Sequence, residues 1–153
     1  AGVGATPTPV TDLTSTGMDF GALVKGADNN FRSSGVYFFV DTPVVSNKTG
    51  WTITHTASDF TNNSDNLNLN TNVTFVKVNT LTSEENPLTS NSYISYSAAK
   101  TRTAINQSEL TGGRLRIYYG IANGSGDAPG VSVITTAKST GLYTGTVTLT
   151  LSP

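Results

Sequence analysis

The final stretch of the chain shows its clearest alternation of apolar and polar positions. Tyr143, Val147, Leu149 and Leu151 fall on every second position, and threonines occupy most positions between them. A period of two places alternate side chains on opposite faces of a β-strand. The pattern therefore predicts a half-buried C-terminal core strand. We expect this strand to be paired on both sides, because an open edge invites aggregation.

Seven other segments carry a strand pattern: residues 18–24, 35–40, 51–56, 73–78, 93–96, 114–121 and 131–136. The second of these is a continuous apolar run, which is typical of a strand buried on both faces. The segment 114–121 alternates cleanly, and its predicted inward face consists of Leu115, Ile117, Tyr119 and Ile121. Residues 97–110 contain several good helix formers and are predicted to form a short helix.

About seven to nine short strands joined by Gly- and Asn-rich turns predict an all-β fold. We expect a single antiparallel β-sandwich or jelly roll of immunoglobulin-like type over residues 11–153. Residues 1–10 are uncharged and include Pro7 and Pro9. Proline is excluded from a helix interior and from a central strand, so these residues are predicted to form an extended tail, for which a flexible linker is the simplest interpretation.

Composition argues against several classes of function and says less about the fold. Charged residues make up 12% of the 153 residues, and the net charge is −1, with no basic cluster to bind nucleic acid. No apolar run approaches the roughly 20 residues of a membrane span. The absence of cysteine excludes disulfides and thiol catalysis. An Ala-Gly start without Met fits a removed signal peptide, although removal of an initiator Met before Ala leaves the same start. Together with the low charge and the absence of cysteine, it leads us to expect a secreted protein at the cell surface.

The sequence offers little for catalysis or metal binding. His55 is the only histidine, and it alternates with threonines on the face that carries Trp51 and Ile53. This placement predicts a packed or half-exposed strand residue. With one histidine and no cysteine, we expect no metal and no cofactor. A small hydrolase would need Ser64 or Ser97 beside His55, in the manner of a catalytic triad.

Two features suggest contact with carbohydrate. Trp51, Tyr96 and Tyr118 would form an aromatic platform for sugars if they lay on one open face, although a tryptophan that opens a strand more often packs in the core. The chain also contains Asn-x-Ser/Thr sequons, which are possible N-glycosylation sites. They begin at Asn47, Asn62, Asn72, Asn106 and Asn123.

Three short motifs carry a resemblance to surface proteins. Residues 141–151, Gly-Leu-Tyr-Thr-Gly-Thr-Val-Thr-Leu-Thr-Leu, resemble the final strand of bacterial pilins and of spore-coat-U-like proteins. Met18-Asp19-Phe20-Gly21 is similar to the opening of such domains. Gly50-Trp51-Thr52-Ile53, with Phe60, resembles WxL-type surface domains.

The resemblance implies a structural, non-enzymatic subunit of an extracellular filament or surface layer. Such subunits assemble by donor-strand complementation, in which one subunit's tail adds a strand to the next. Val3, Ala5 and Val10 would then fill pockets of a neighbouring copy, and the head-to-tail contact would build a pilus-like homopolymer. The alternatives are a carbohydrate-binding or adhesive module that recognises cell-surface glycans, the small hydrolase, and a viral shell protein with a jelly roll.

Overall fold

The computed structural model describes residues 8–9, 18–33, 37–42 and 49–153, and these residues form an all-β antiparallel sandwich. The strands are β1 (Thr8–Pro9), β2 (Val24–Lys25), β3 (Phe31–Arg32), β4 (Tyr37–Thr42), β5 (Thr52–Ala57), β6 (Thr71–Asn79), β7 (Glu85–Pro87), β8 (Tyr93–Ser95), β9 (Ile105–Asn106), β10 (Gly113–Ile121) and β11 (Val147–Ser152). A one-turn helix α1 (Tyr96–Ala99) and a 3₁₀ turn (Gln107–Leu110) complete the described elements. Four of these eleven strands have only two residues. The other seven are longer, and seven strands lie within the predicted range of about seven to nine.

Two sheets of unequal size face each other across the core. The large sheet has the order β1-β4-β10-β6-β7, and β8 also pairs with β6. The small sheet has the order β11-β5-β9, while β2 and β3 form a separate hairpin. Every pairing is antiparallel except β1 with β4, where Thr8 lies opposite Phe38 and Pro9 lies opposite Phe39.

The centre of the large sheet is the nine-residue pair β6 and β10. Their pairing runs the full length of both strands, with Ile117 opposite Phe75 and Tyr119 opposite Val73. Leu115 and Ile117 are fully buried, and Tyr119 and Ile121 are nearly so. The predicted inward face of this strand is confirmed.

The strand β4 is buried on both faces, as its apolar run predicts for the described residues 37–42. Phe38 and Val40 belong to the main core. Phe39 points to the outer face, yet it is only 7% exposed. The Arg116 guanidinium covers it, with its carbon 4.0 Å from the ring centre, and is held there by hydrogen bonds to Asp41 of 2.7 and 3.0 Å.

Three sequence-based expectations about local structure are wrong. Residues 18–24 form no strand before Val24, and residues 131–136 contribute only an isolated bridge between Ile134 and Phe31. Residues 97–110 do not form one helix. Instead, α1 ends after one turn and Ile105 pairs with Ile53 of β5.

The C-terminal strand is also placed differently from the prediction. β11 pairs with β5 on one side, and no described strand lies on its other side. Tyr143 precedes the strand, Val147 and Leu149 are half-buried against the core, and Leu151 is 50% exposed. Alternation predicts which face a residue occupies, and an edge strand satisfies it as well as a central strand does.

Candidate functional site

One edge of β11 has no partner strand among the described residues, and a defined set of backbone groups points to that side. In β5, the N–H groups of His55 and Ala57 donate to carbonyls of Arg102 and Lys100, on the side away from β11. The even-numbered residues of β5 therefore bond to β11, in register with Thr148 and Thr150. It follows that the N–H and C=O groups at the odd-numbered positions of β11 point outward.

An apolar cleft of about 1060 Å³ opens at the end of the sandwich where β11 begins. Its floor includes Tyr119 and Ile121 of β10, and its walls include Phe60, Leu67 and Val147. Ile121 and Leu67 belong to a second small core cluster with Ile134, against which Phe20, Phe31 and Tyr143 pack. The cleft is thus continuous with the interior and adjoins the open edge.

One wall of the cleft is the segment of residues 18–23, which we call the strap. The Phe20 ring lies 5.1 Å from the Phe38 ring of β4 and 6.3 Å from the Phe60 ring that follows β5. Met18 also packs against the main core. The strap therefore bridges the two sheets through its side chains.

The backbone of the strap is not part of any sheet. Among the described residues, the strap makes no main-chain hydrogen bond to another segment. The hydrogen bond that the structure describes for the strap backbone is local, from the Gly21 N–H to the Asp19 carboxylate at 2.8 Å. Gly21 adopts a φ of 70°, which glycine tolerates without strain.

The opposite wall of the cleft is held by backbone pairing and a polar network. Thr61 and Thr144 exchange two backbone hydrogen bonds of 2.9 Å. The Asn62 amide donates to the Ser139 hydroxyl at 2.9 Å, and the Tyr143 hydroxyl donates to the Ser139 carbonyl at 2.6 Å. This wall is therefore anchored, unlike the strap.

Two aspartates fix the loop that joins the small sheet to the cleft. The Asn66 backbone N–H and the Lys138 ammonium lower the pKa of Asp65. The paired Lys100 and the Asn68 amide lower the pKa of Asp59. Both carboxylates are therefore charged at neutral pH and serve as acceptors for the loop.

A close backbone approach joins this loop to the chain entering β11. A Cβ added to Gly145 would lie 3.0 Å from the Asp59 carbonyl and 3.1 Å from the Tyr96 hydroxyl. That hydroxyl donates to the Ser58 carbonyl at 2.9 Å, and burial raises the pKa of Tyr96 to about 12, with a smaller contribution from Asp59. The Tyr96 hydroxyl thus stays protonated and keeps this donation at neutral pH.

His55 is fully buried in the main core. Its Nδ1 lies 2.5 Å from the Ala99 carbonyl, which only accepts, so Nδ1 carries the proton. Its Nε2 therefore accepts from the Tyr119 hydroxyl at 2.8 Å. Burial lowers the pKa of His55, so the ring is neutral. Of the two predicted states, packed or half-exposed, the structure shows the packed one.

The arrangement required for the hydrolase is not present at His55. Both ring nitrogens are occupied by Ala99 and Tyr119, and neither Ser64 nor Ser97 is among its hydrogen-bond partners. In the described residues, no three His, Asp or Glu side chains are grouped closely enough to hold a metal ion.

The proposed aromatic platform is not assembled. Trp51 is 7% exposed and Tyr96 is 5% exposed, and both belong to the main core. Tyr118 lies on the outer face of the large sheet, with its ring 5.8 Å from that of Tyr37. Trp51 faces the core because it enters β5 on the same face as Ile53.

Two of the sequon asparagines have side chains committed to the fold. Asn72 is 1% exposed, its amide donates to Asp127 at 2.9 Å, and its oxygen accepts from the Ala128 N–H. A glycan at Asn72 does not fit this packing, which corrects that prediction. The Asn62 amide is engaged with Ser139 in the cleft wall.

The remaining sequons differ in accessibility. Asn106 is exposed at the start of the 3₁₀ turn, where a glycan would stand in water. Asn123 is half-buried and donates to the Ser125 carbonyl at 3.2 Å. Asn47 lies outside the described residues.

The predicted donor residues Val3, Ala5 and Val10 also lie outside the described residues. Thr8 and Pro9, between them, pair with β4 of the same chain. The sequence-based prediction missed the strap as a cleft wall. The available signal is the apolar spacing of Met18 and Phe20, which predicts a strand.

Comparison with protein-family models, curated proteins and solved structures finds no match to this chain. Among the residues that the structure describes, no helix has the length and apolar character to cross a membrane.

Proposed function

We propose that this protein is a structural subunit of an extracellular filament or surface layer. In this proposal, the N-terminal tail of one subunit, residues 1–10, reaches the next subunit, and the residues before Thr8 add there as a β-strand. The observation that carries the proposal is the edge of β11 that no described strand covers, where the odd-numbered backbone groups point away from β5. An edge with unpaired N–H and C=O groups is a template for strand addition.

The surroundings of this edge suit a strand from another molecule. The adjoining cleft is lined by apolar side chains, which every second residue of an incoming strand can contact. Leu151, at the far end of β11, is half exposed and would be covered by a partner strand. A contact of tail to edge is heterologous, so repeated copies extend as a fibre and do not close.

The composition of the tail fits this role, and the pairing of Thr8 and Pro9 with β4 limits how far the tail extends from the subunit. It carries no charge and contains Val3 and Ala5 for small apolar pockets. With Thr8 and Pro9 paired to β4, the seven preceding residues extend at most about 25 Å beyond the subunit. That length exceeds what is needed to cover the six residues of β11.

Electron microscopy with matched variants tests the proposal. We expect filaments from the full chain and monomers after deletion of residues 1–10. Leu151→Pro removes an outward N–H without removing a bond to β5, and edge strands tolerate such a proline. We therefore expect Leu151→Pro to stay folded but monomeric, while Leu151→Ala, which keeps the N–H, still assembles.

The opposite results are equally informative. If the full chain stays monomeric at every concentration, the filament proposal fails. If Leu151→Pro assembles as well as Leu151→Ala, strand addition does not take place at β11. Thermal melts of each variant before assembly confirm that the monomers are folded.

The alternative function, a carbohydrate-binding or adhesive module, has one observation in its favour. Tyr37 and Tyr118 are neighbouring, half-buried rings on the outer face of the large sheet. A glycan array with the wild type and Tyr118→Ala tests this alternative. Binding that Tyr118→Ala abolishes, by a protein that forms no filaments, would replace the structural proposal.

A further inference from the structure

The outer face of the small sheet presents a regular array of hydroxyl groups. Ile53 lies in the main core and Leu149 packs against it, so the even-numbered residues of β5 and β11 face outward. The register of the two strands places these outward residues directly opposite each other, and all six carry a hydroxyl group. We call the array the hydroxyl face, and it consists of the pairs Thr52–Ser152, Thr54–Thr150 and Thr56–Thr148.

The fold itself makes no use of these hydroxyl groups. Among the described residues, none of the six has a hydrogen-bond partner. Thr56, Thr148 and Thr150 are exposed, and the other three side chains are half-buried between their neighbours. β5 and β11 contain no Asp, Glu, Lys or Arg, and His55 is neutral and buried. The hydroxyl face therefore offers uncharged donors and acceptors to a partner.

The array is periodic in two directions. Residues directly opposite each other have Cβ atoms about 4.5–5.5 Å apart. Alternate residues along one strand are about 6.8 Å apart. The β-branched threonine side chain has few conformations, so holding the hydroxyl groups in these rows costs little entropy. The hydroxyl face is thus ordered before any partner arrives.

The residue types on this face are unlike those of a protein or sugar site. Binding energy at protein interfaces is concentrated in Trp, Tyr and Arg, while Ser and Thr contribute little. Neither β5 nor β11 contains an aromatic residue other than His55, so a sugar ring has nothing to stack on. A single small solute would contact only one or two pairs of hydroxyl groups. The array instead suits a partner that repeats hydrogen-bonding groups in two directions.

We infer that the hydroxyl face binds ice. The water oxygens on a prism face of ice form rows whose two repeats are close to the spacings of the array. Each of these waters donates and accepts hydrogen bonds, as a hydroxyl group does. The threonine methyl groups lie between the hydroxyl groups, and burying them against the ice releases the water that covers them. A charged side chain would hold water in an arrangement that does not fit the lattice, and the face has none.

This activity is independent of the proposed assembly. A strand that adds to the outer edge of β11 extends the small sheet sideways and leaves the hydroxyl face open. A filament would repeat the same face along its length, and a monomer carries one complete copy of it.

Freezing hysteresis tests the inference. It is the gap between the melting point of a seed ice crystal and the temperature at which the crystal begins to grow. We expect the wild type to produce a gap and faceted crystals. Thr150→Tyr places a ring above the centre of the array and should reduce the gap at least fivefold. Thr80→Tyr is the matched control, because Thr80 is exposed in the turn after β6 of the large sheet, and it should keep the full gap.

Three results would overturn the inference, provided that thermal melts show folded proteins. The first is a wild-type gap no larger than that of serum albumin at the same mass concentration. The second is an equal gap for Thr150→Tyr and Thr80→Tyr, which would place ice binding elsewhere. The third is sedimentation with crystalline chitin that Thr150→Tyr abolishes, without any hysteresis, which would assign the face to a polysaccharide. None of these results bears on the filament proposal, which electron microscopy tests separately.

Discussion

β10 and β11 carry the same alternating pattern in the sequence, but they occupy opposite situations in the fold. β10 has a partner on each side, and its Leu115 and Ile117 are fully buried. β11 has one described partner, and its Leu151 is 50% exposed. The difference teaches that alternation determines the face of a residue, while the number of neighbouring strands determines its burial.

The largest expected effect contrasts apolar residues in the two strands. Ile117→Ala opens a cavity in a fully buried site and should cost about 2–5 kcal/mol of unfolding free energy. Leu149→Ala removes half-buried methyl groups at the edge and should cost about 1–2 kcal/mol. Urea unfolding followed by the fluorescence of the single Trp51 measures both. Equal losses would show that the edge is as tightly packed as the centre.

Removal of one hydroxyl tests the polar contact at the centre. Tyr119→Phe leaves the Nε2 of buried His55 without its donor and should cost about 1–3 kcal/mol. Tyr118→Phe is the matched control on the outer face, where the hydroxyl donates to the exposed Glu85. Its cost in the same urea measurement should be below about 1 kcal/mol. A Tyr119→Phe loss no larger than this would contradict the assigned bond.

The pH dependence of stability tests the same buried ring. Burial lowers the pKa of His55 in the fold, while in the unfolded chain the pKa is about 6.5. The unfolded state therefore binds more protons below about pH 6.5, and stability falls as the pH drops towards the folded pKa. The urea midpoint of the wild type should therefore decrease as the pH is lowered from about 7.5 to about 5.5.

The control for this pH profile is His55→Leu. Because His55 is the only histidine, the variant should show little change over the same pH range, where the carboxylates remain ionised. A slope that persists in His55→Leu would place the titrating group elsewhere.

The smallest expected effect lies at the end of the edge strand. Leu151→Ser changes a half-exposed side chain and should alter the unfolding free energy of the monomer by at most about 0.5 kcal/mol. The same change should weaken assembly without abolishing it, because a partner strand would cover this side chain while the backbone N–H that bonds the strand is kept. Sedimentation of the assembled fraction measures the second effect. A large loss of monomer stability would mean that β11 is covered within one chain.

Much of the sandwich could be predicted from local patterns. The segments around Phe75 and Ile117 combine β-branched and aromatic residues with strict alternation, so local preference and final burial agree. The shared face with Ile53 predicted a strand residue at His55 that is packed or half-exposed, and the structure shows the packed state. In these places, neighbouring side chains alone determine the outcome.

The helix predicted over residues 97–110 shows where local preference is overridden. The Ser95 hydroxyl accepts from the Ala98 N–H at 3.1 Å and starts a helix there. Ala104 then adopts a φ of 57°, which no helix accommodates, and Ile105 pairs with Ile53. Pairing with a distant strand and burial of Ile105 outweigh the helix preference of alanine.

The candidate site was less predictable, because it depends on whether segments that are distant in the sequence form backbone hydrogen bonds with each other. Met18 and Phe20 have the spacing of a strand, and their burial follows it. Whether their backbone meets a partner strand depends on how far the strap lies from β11. The bridge between Phe31 and Ile134 joins residues about a hundred positions apart, and no local pattern indicates it.

The pair of Asp41 and Arg116 has a consequence for folding fidelity. The two residues lie directly opposite each other on the outer face, where an ion pair adds little to stability. A slip of one residue between β4 and β10 would turn every side chain of the slipped strand to the other face, including Arg114 and Arg116. Their guanidinium groups would then enter the core without partners. A slipped register would therefore be costly, because it would bury charges that contribute little to the stability of the correctly paired sheet.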